Sequence, residues 1–158
     1  MDIDVNVVIE NTRAQVEKSL PGAYLTFLSI VAQCSELEAF QGEVNLDFTQ
    51  VRQSLFGERI TVARARVDTV QRALSLEIRD ETEYYPSAEA LVLQGLDMEA
   101  ITSSLVTYLR SIEQCGGTVV LARTSPDSPW RVRCGPPDEV FIECLEIDPT
   151  TGAIKELR

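Results

Sequence analysis

The sequence predicts an α+β fold: an N-terminal strand and helices, then one long helix at about 98–115 packed on a C-terminal antiparallel meander of about four strands. Three observations carry that expectation. Ile101, Leu105, Tyr108, Leu109 and Ile112 recur at helical spacing between Asp97, a capping residue, and Gly116, a stop residue. After Gly117 the chain changes to short strand-like runs, Thr118–Arg123, Trp130–Cys134, Val140–Glu146 and Ala153–Leu157, separated by turns rich in Pro, Gly and Asp. Finally, 158 residues with 44% hydrophobic and 25% charged side chains make one ordinary domain, 1–158, with enough apolar surface for a core.

Along the chain, Ile3, Val5, Val7 and Ile9 alternate with polar residues, the period of a strand. Asn11 then caps a helix to about Leu20, which Pro21-Gly22 breaks. From Ala23 to Gln41, Tyr24, Phe27, Leu28, Val31, Cys34 and Leu37 fall on one helical face, and Gly42 stops that helix. Val44, Leu46 and Phe48 alternate as in a short strand, although Asp47 could also cap a helix with Phe48, Val51 and Leu55 inward.

The stretch 58–79 reads two ways. Ile60, Ala63, Val67, Val70, Leu74 and Ile78 step as in a helix, whereas Leu74, Leu76 and Ile78 alternate as in one of a pair of strands. Pro86-Ser87 opens a short helix that Gly95 closes. In the last turn, Asp148 to Gly152, Pro149 presets φ and Gly152 can turn left-handed. No internal repeat or linker shows in the sequence.

Net charge is −11, which disfavours nucleic acid and anionic lipid and permits a basic protein partner. The longest uncharged run, between Lys18 and Glu36, is interrupted by Pro21-Gly22 and falls short of a bilayer span. Four cysteines at low density, behind an N-terminus without a basic segment, read as reduced thiols in a cytoplasmic protein. Cys34 and Cys144 read as core-facing.

No histidine is present, which removes Ser-His-Asp and Cys-His nucleophiles and His-ligated zinc. Lys18 and Lys155 lie in no Ser-x-x-Lys arrangement, and the cysteines form no C-x-x-C pair. Cys115, Cys134 and Cys144 could converge on neighbouring strands, but their reading is structural, and no metal or cofactor is expected. Asp2-x-Asp4-x-Asn6 opens like a calcium loop, then has Val7 and Arg13 where that loop needs Gly and Glu. Gly116-Gly117 follows a helix, whereas phosphate cradles precede one.

Two features point to binding. A basic segment with Arg59, Arg64 and Arg66 precedes an acidic one, 80–109, and arginine outnumbers lysine twelve to two. Guanidinium forks suit carboxylates of a partner, of a second copy, or of the same fold. Arg123, Trp130, Arg131 and Arg133 gather around the Ser125–Pro129 turn, and Trp and Arg are enriched where partners dock. The sequence therefore reads as a non-enzymatic protein-interaction module, an adaptor or assembly subunit able to self-associate. Its alternatives are an acidic inhibitor of a basic partner and a small enzyme using carboxylates or a thiol.

Overall fold

The computed structural model describes residues 5–39, 41–81, 90–91, 98–113, 115–126, 128–135, 142–149 and 151–157, with backbone alone at 134–135 and 142–144. Among the described residues the framework is one eight-stranded antiparallel sheet and two α-helices. The expected long helix on a four-strand meander is corrected on both counts: the sheet is twice as wide, and both helices are short.

Helix α1 spans Val5–Ser19: the helix expected from Asn11 to about Leu20 is present, but it begins earlier and takes in the stretch to Ile9 that the sequence suggested as a strand. Val5, Ile9, Thr12 and Val16 are its buried residues, spaced by four, three and four, while Val7 is left 53% exposed. The alternation at 5, 7 and 9 was a coincidence of two periods sharing Val5 and Ile9. Pro21-Gly22 does break the helix, with Gly22 at φ 75.

Strand β1 (Tyr24–Gln33) replaces the helix expected over Ala23–Gln41, and a 3-10 turn at Cys34–Glu36 follows it. β1 is central in the sheet, so six of its ten positions are buried and the inside-outside alternation disappears. Strand β2 (Glu43–Ser54) keeps the alternation of Val44, Leu46 and Phe48. The region 58–79 is a pair of strands, β3 (Gly57–Asp68) and β4 (Ala73–Glu81). Their turn uses Arg72 at φ 56 instead of glycine, and the Asp68 carboxylate accepts hydrogen bonds from Val70 N and Gln71 N at 2.9 and 3.0 Å.

Helix α2 (Met98–Ser111) ends before the expected residue 115, and Glu113 takes the left-handed conformation (φ 58) in place of Gly116. The four C-terminal strands follow as expected: β5 (Thr118–Arg123), β6 (Trp130–Gly135), β7 (Ile142–Ile147) and β8 (Ile154–Glu156). Gly152 sits at φ 73 in the last turn, where Asp148 accepts from Thr151 N and Gly152 N. The helix expected at Pro86–Gly95 lies outside the described residues, apart from 90 and 91.

Strand order is β4-β3-β2-β1-β5-β6-β7-β8. Two helix-plus-four-strand units therefore stand side by side, joined by antiparallel pairing of β1 with β5. The repeat is one of topology, with no repeated motif to announce it. Residues of both helices share one hydrophobic cluster with Leu28, Leu46, Ala65, Leu121, Val132 and Leu145, which lie on a single face of the sheet. Gly42 allows close approach beside β1: a Cβ there would fall 2.3 Å from Val31 O.

Cys34 and Cys115 form a disulfide, with Cα atoms 5.3 Å apart. The expectation of reduced thiols fails for this pair, because β1–β5 pairing brings together residues that look unrelated in sequence. Cys34 N also donates to Gly117 O at 3.0 Å, so the bond staples the seam between the two units. At β7 the register slips, with Val132 facing Leu145 and Arg133 facing Glu143, which leaves Cys144 as the extra residue. No described helix is long and apolar enough to cross a membrane.

Candidate binding face

With both helices on one side, no described helix covers the other face of the sheet. One row of that face crosses every strand: Ser75, Arg66, Asn45, Ser29, Ala122, Arg131, Glu146 and Lys155. Its centre is small and uncharged, and its flanks carry arginines. Arg64 and Arg66 lie on β3, Arg131 and Arg133 on β6. Four strand steps separate those ridges, about 19 Å at about 4.8 Å per step.

Each ridge is ion-paired on the same face. Arg66 meets Glu43 at 2.6 Å, Arg131 meets Glu146 at 2.7 Å, and Arg64 sits 3.7 Å from both Asp47 and Glu81. The arginine side chains are nonetheless 43–71% exposed, so each pair adds only about 0–1 kcal/mol of stability. They can exchange partners with little loss to the fold.

Beside the β3 ridge a groove of about 590 Å³ is lined by Phe27, Ser29, Asn45, Asp47, Arg64, Arg66, Ser75 and Glu77. A bulge in β1 shapes it: the register skips between Leu25 and Phe27, and Thr26 is tied by its hydroxyl to Thr49 Oγ1 at 2.8 Å. A second hollow of about 630 Å³, lined in part by Val31, Glu43, Gly42 and Thr118, shares Arg66 and continues the valley. Asn45 Nδ2 donates to Ser29 Oγ at 3.3 Å across its floor.

Asp47 is the electrostatically unusual group. Burial pushes its carboxyl above the ordinary range, Arg64 pulls it back, and Glu81 pushes it up again. A carboxyl whose folded pKa is raised binds its proton before the unfolded chain does. Its contribution to stability is thus fully present below the unfolded value and lost as pH rises through the folded one. Asp47→Asn has no such titration. Denaturant midpoints measured from neutral to acid pH should therefore show wild type gaining on Asp47→Asn as pH falls. Parallel pH profiles would contradict the burial of this charge.

The other expected residues fall elsewhere. Arg59 shares the helix-side face with Ala63 and pairs with Asp80, which also accepts from Thr61 Oγ1 at 2.9 Å. Hydrogen bonding to Arg59 and then Thr61 draws the Asp80 carboxyl below its usual value. The basic and acidic segments thus meet within one chain, at Arg59–Asp80 and Arg64–Glu81. Arg123 is buried on the core side and donates to Pro126 O (2.7 Å) and Ser128 O (3.3 Å), shaping the turn before β6. Trp130 has 0% exposure and belongs to the core, so it has no surface to offer a partner.

Sequence reasoning missed Ser29, Asn45 and Asp47. Each is a polar residue inside a strand, and only the strand order gives it neighbours. Among the described residues, no three His, Cys, Asp or Glu side chains gather as a metal site. A search of family models, curated proteins and solved structures finds no match to this chain.

Proposed function

We propose that the chain is a non-enzymatic protein-interaction module that holds a partner segment on the helix-free face of its sheet, between the arginine ridges of β3 and β6. The row from Ser75 to Lys155 carries this reading. A valley about 19 Å from ridge to ridge, with Asn45, Ser29 and Ala122 as its uncharged centre, accepts an α-helix, about 10–12 Å across with its side chains, or an extended segment. Exposed guanidinium–carboxylate pairs on both sides supply donors and acceptors to fix its register. The Cys34–Cys115 bond suits oxidising surroundings better than a reducing cytosol.

The test is charge reversal at both ridges. Arg66→Glu with Arg131→Glu should abolish capture of whatever the wild type retains from its native extract, while Arg13→Glu on α1 should leave capture intact. Carboxyl footprinting should show Glu43, Asp47 and Glu146 protected in the captured complex. Retention unaffected by the double reversal would refute the reading.

A second reading, an acidic inhibitor of a basic partner, is favoured by the net charge of −11. Salt separates the two. Whole-molecule attraction fades as the screening length falls from about 10 Å at 0.1 M to about 3 Å at 1 M. Docking in the charge-balanced valley should weaken only slightly over that range.

A further inference from the structure

We propose that two copies of this chain join edge to edge through β4, antiparallel, about a two-fold axis passing at Leu76. This interface uses the outer main-chain edge of β4; it borders the valley at Ser75 and Glu77 but does not depend on that reading.

β4 is an outer strand of the sheet, and every residue from Ala73 to Asp80 is exposed. Its nine-residue pairing with β3 runs without a bulge, so the outer edge is long and regular. Edge strands are usually guarded by Pro, Lys, bulges or shortness. The opposite edge follows that rule, since β8 has three residues and carries Lys155. β4 has no Pro, Lys or bulge and is nine residues long, although it carries the charges of Glu77, Arg79 and Asp80. Instead it presents Leu74, Leu76 and Ile78, 43%, 37% and 41% exposed, on one face.

The sequence of β4 is complementary to itself in one register. Centred on Leu76, antiparallel pairing sets Leu76 against its own mate and Leu74 against Ile78 on both sides. On the other face Ser75 meets Glu77 and Ala73 meets Arg79, so no like charges oppose. At the ends, Arg72 of each copy comes opposite Asp80 of the other. Shifting the centre to Glu77 puts two carboxylates face to face and Leu74 against Asp80. A centre at Ile78 sets Leu76 against Asp80, and a centre at Ser75 sets Ile78 against Arg72. Odd shifts place the apolar stripes on opposite faces. Self-complementarity about one residue is the property a two-fold interface requires.

Light scattering on the purified chain should give about twice the 17.6 kDa of one copy. Leu76→Lys brings two ammonium groups together at the axis and should halve that mass, as should Leu76→Glu. Mixing the two variants should restore the dimer. Leu76→Cys should cross-link to itself on oxidation beyond the parent protein, and Ala73→Cys should not. That pair keeps the test alive if Leu76→Lys misfolds. A wild type that stays monomeric at millimolar concentration overturns the proposal. So does a dimer that survives both charge variants, or cross-linking at 73 equal to that at 76.

Discussion

Trp130→Ala is expected to lower stability by about 3–5 kcal/mol, because truncating a fully buried aromatic side chain removes its transfer free energy and leaves a cavity. Trp130 begins β6, pairs with Ile147, and has no exposed surface. Loss of its ring affects the cluster shared by both helices and the C-terminal strands. Trp130→Phe should lose far less, within about 2 kcal/mol. The indole N–H finds no hydrogen-bond partner among the described residues, so phenylalanine removes an unpaired donor along with part of the ring. Urea unfolding followed by circular dichroism measures both. Equal losses for Ala and Phe would mean that the indole nitrogen has a stabilising partner.

Breaking Cys34–Cys115 should have an effect of similar size. The bond joins residues 81 apart in sequence, and the loop-entropy estimate for such a closure is about 4 kcal/mol. The Cys34 N to Gly117 O hydrogen bond and the β1–β5 ladder hold the same geometry without it. Cys34→Ser with Cys115→Ser should therefore keep the native far-ultraviolet spectrum in buffer and unfold at markedly lower denaturant. A midpoint shared with the wild type would show that the bond constrains nothing the ladder does not already fix.

The C-terminal half was legible because its turns carry their own chemistry. Asp148 and Gly152 mark a hairpin whatever lies around them. The N-terminal half was opaque for two physical reasons. β1 lies mid-sheet, where burial at most positions erases the period of two, and spacings of three and four from Tyr24 to Leu37 then mimic a helix. The β3–β4 turn uses Arg72 in a conformation that sequence rules reserve for Gly or Asn, so nothing announced it.

The candidate face was half visible. Arg64, Arg66, Arg131 and Arg133 stand out by residue type. That they flank one valley depends on β1 pairing with β5 across about ninety residues of chain, a non-local contact no local pattern encodes. Trp130 attracted attention for the same compositional reason and turned out to be core, which is the commoner fate of a tryptophan at a strand start.

The candidate face exists only if the two units share one sheet. Cross-strand main-chain NOEs between residues 28–33 and 118–123 test that directly. The expected result is a continuous antiparallel set from Leu28–Arg123 to Gln33–Thr118. If those contacts are missing while the ladders within β1–β4 and β5–β8 persist, there are two separate sheets, and the valley between the arginine ridges does not exist.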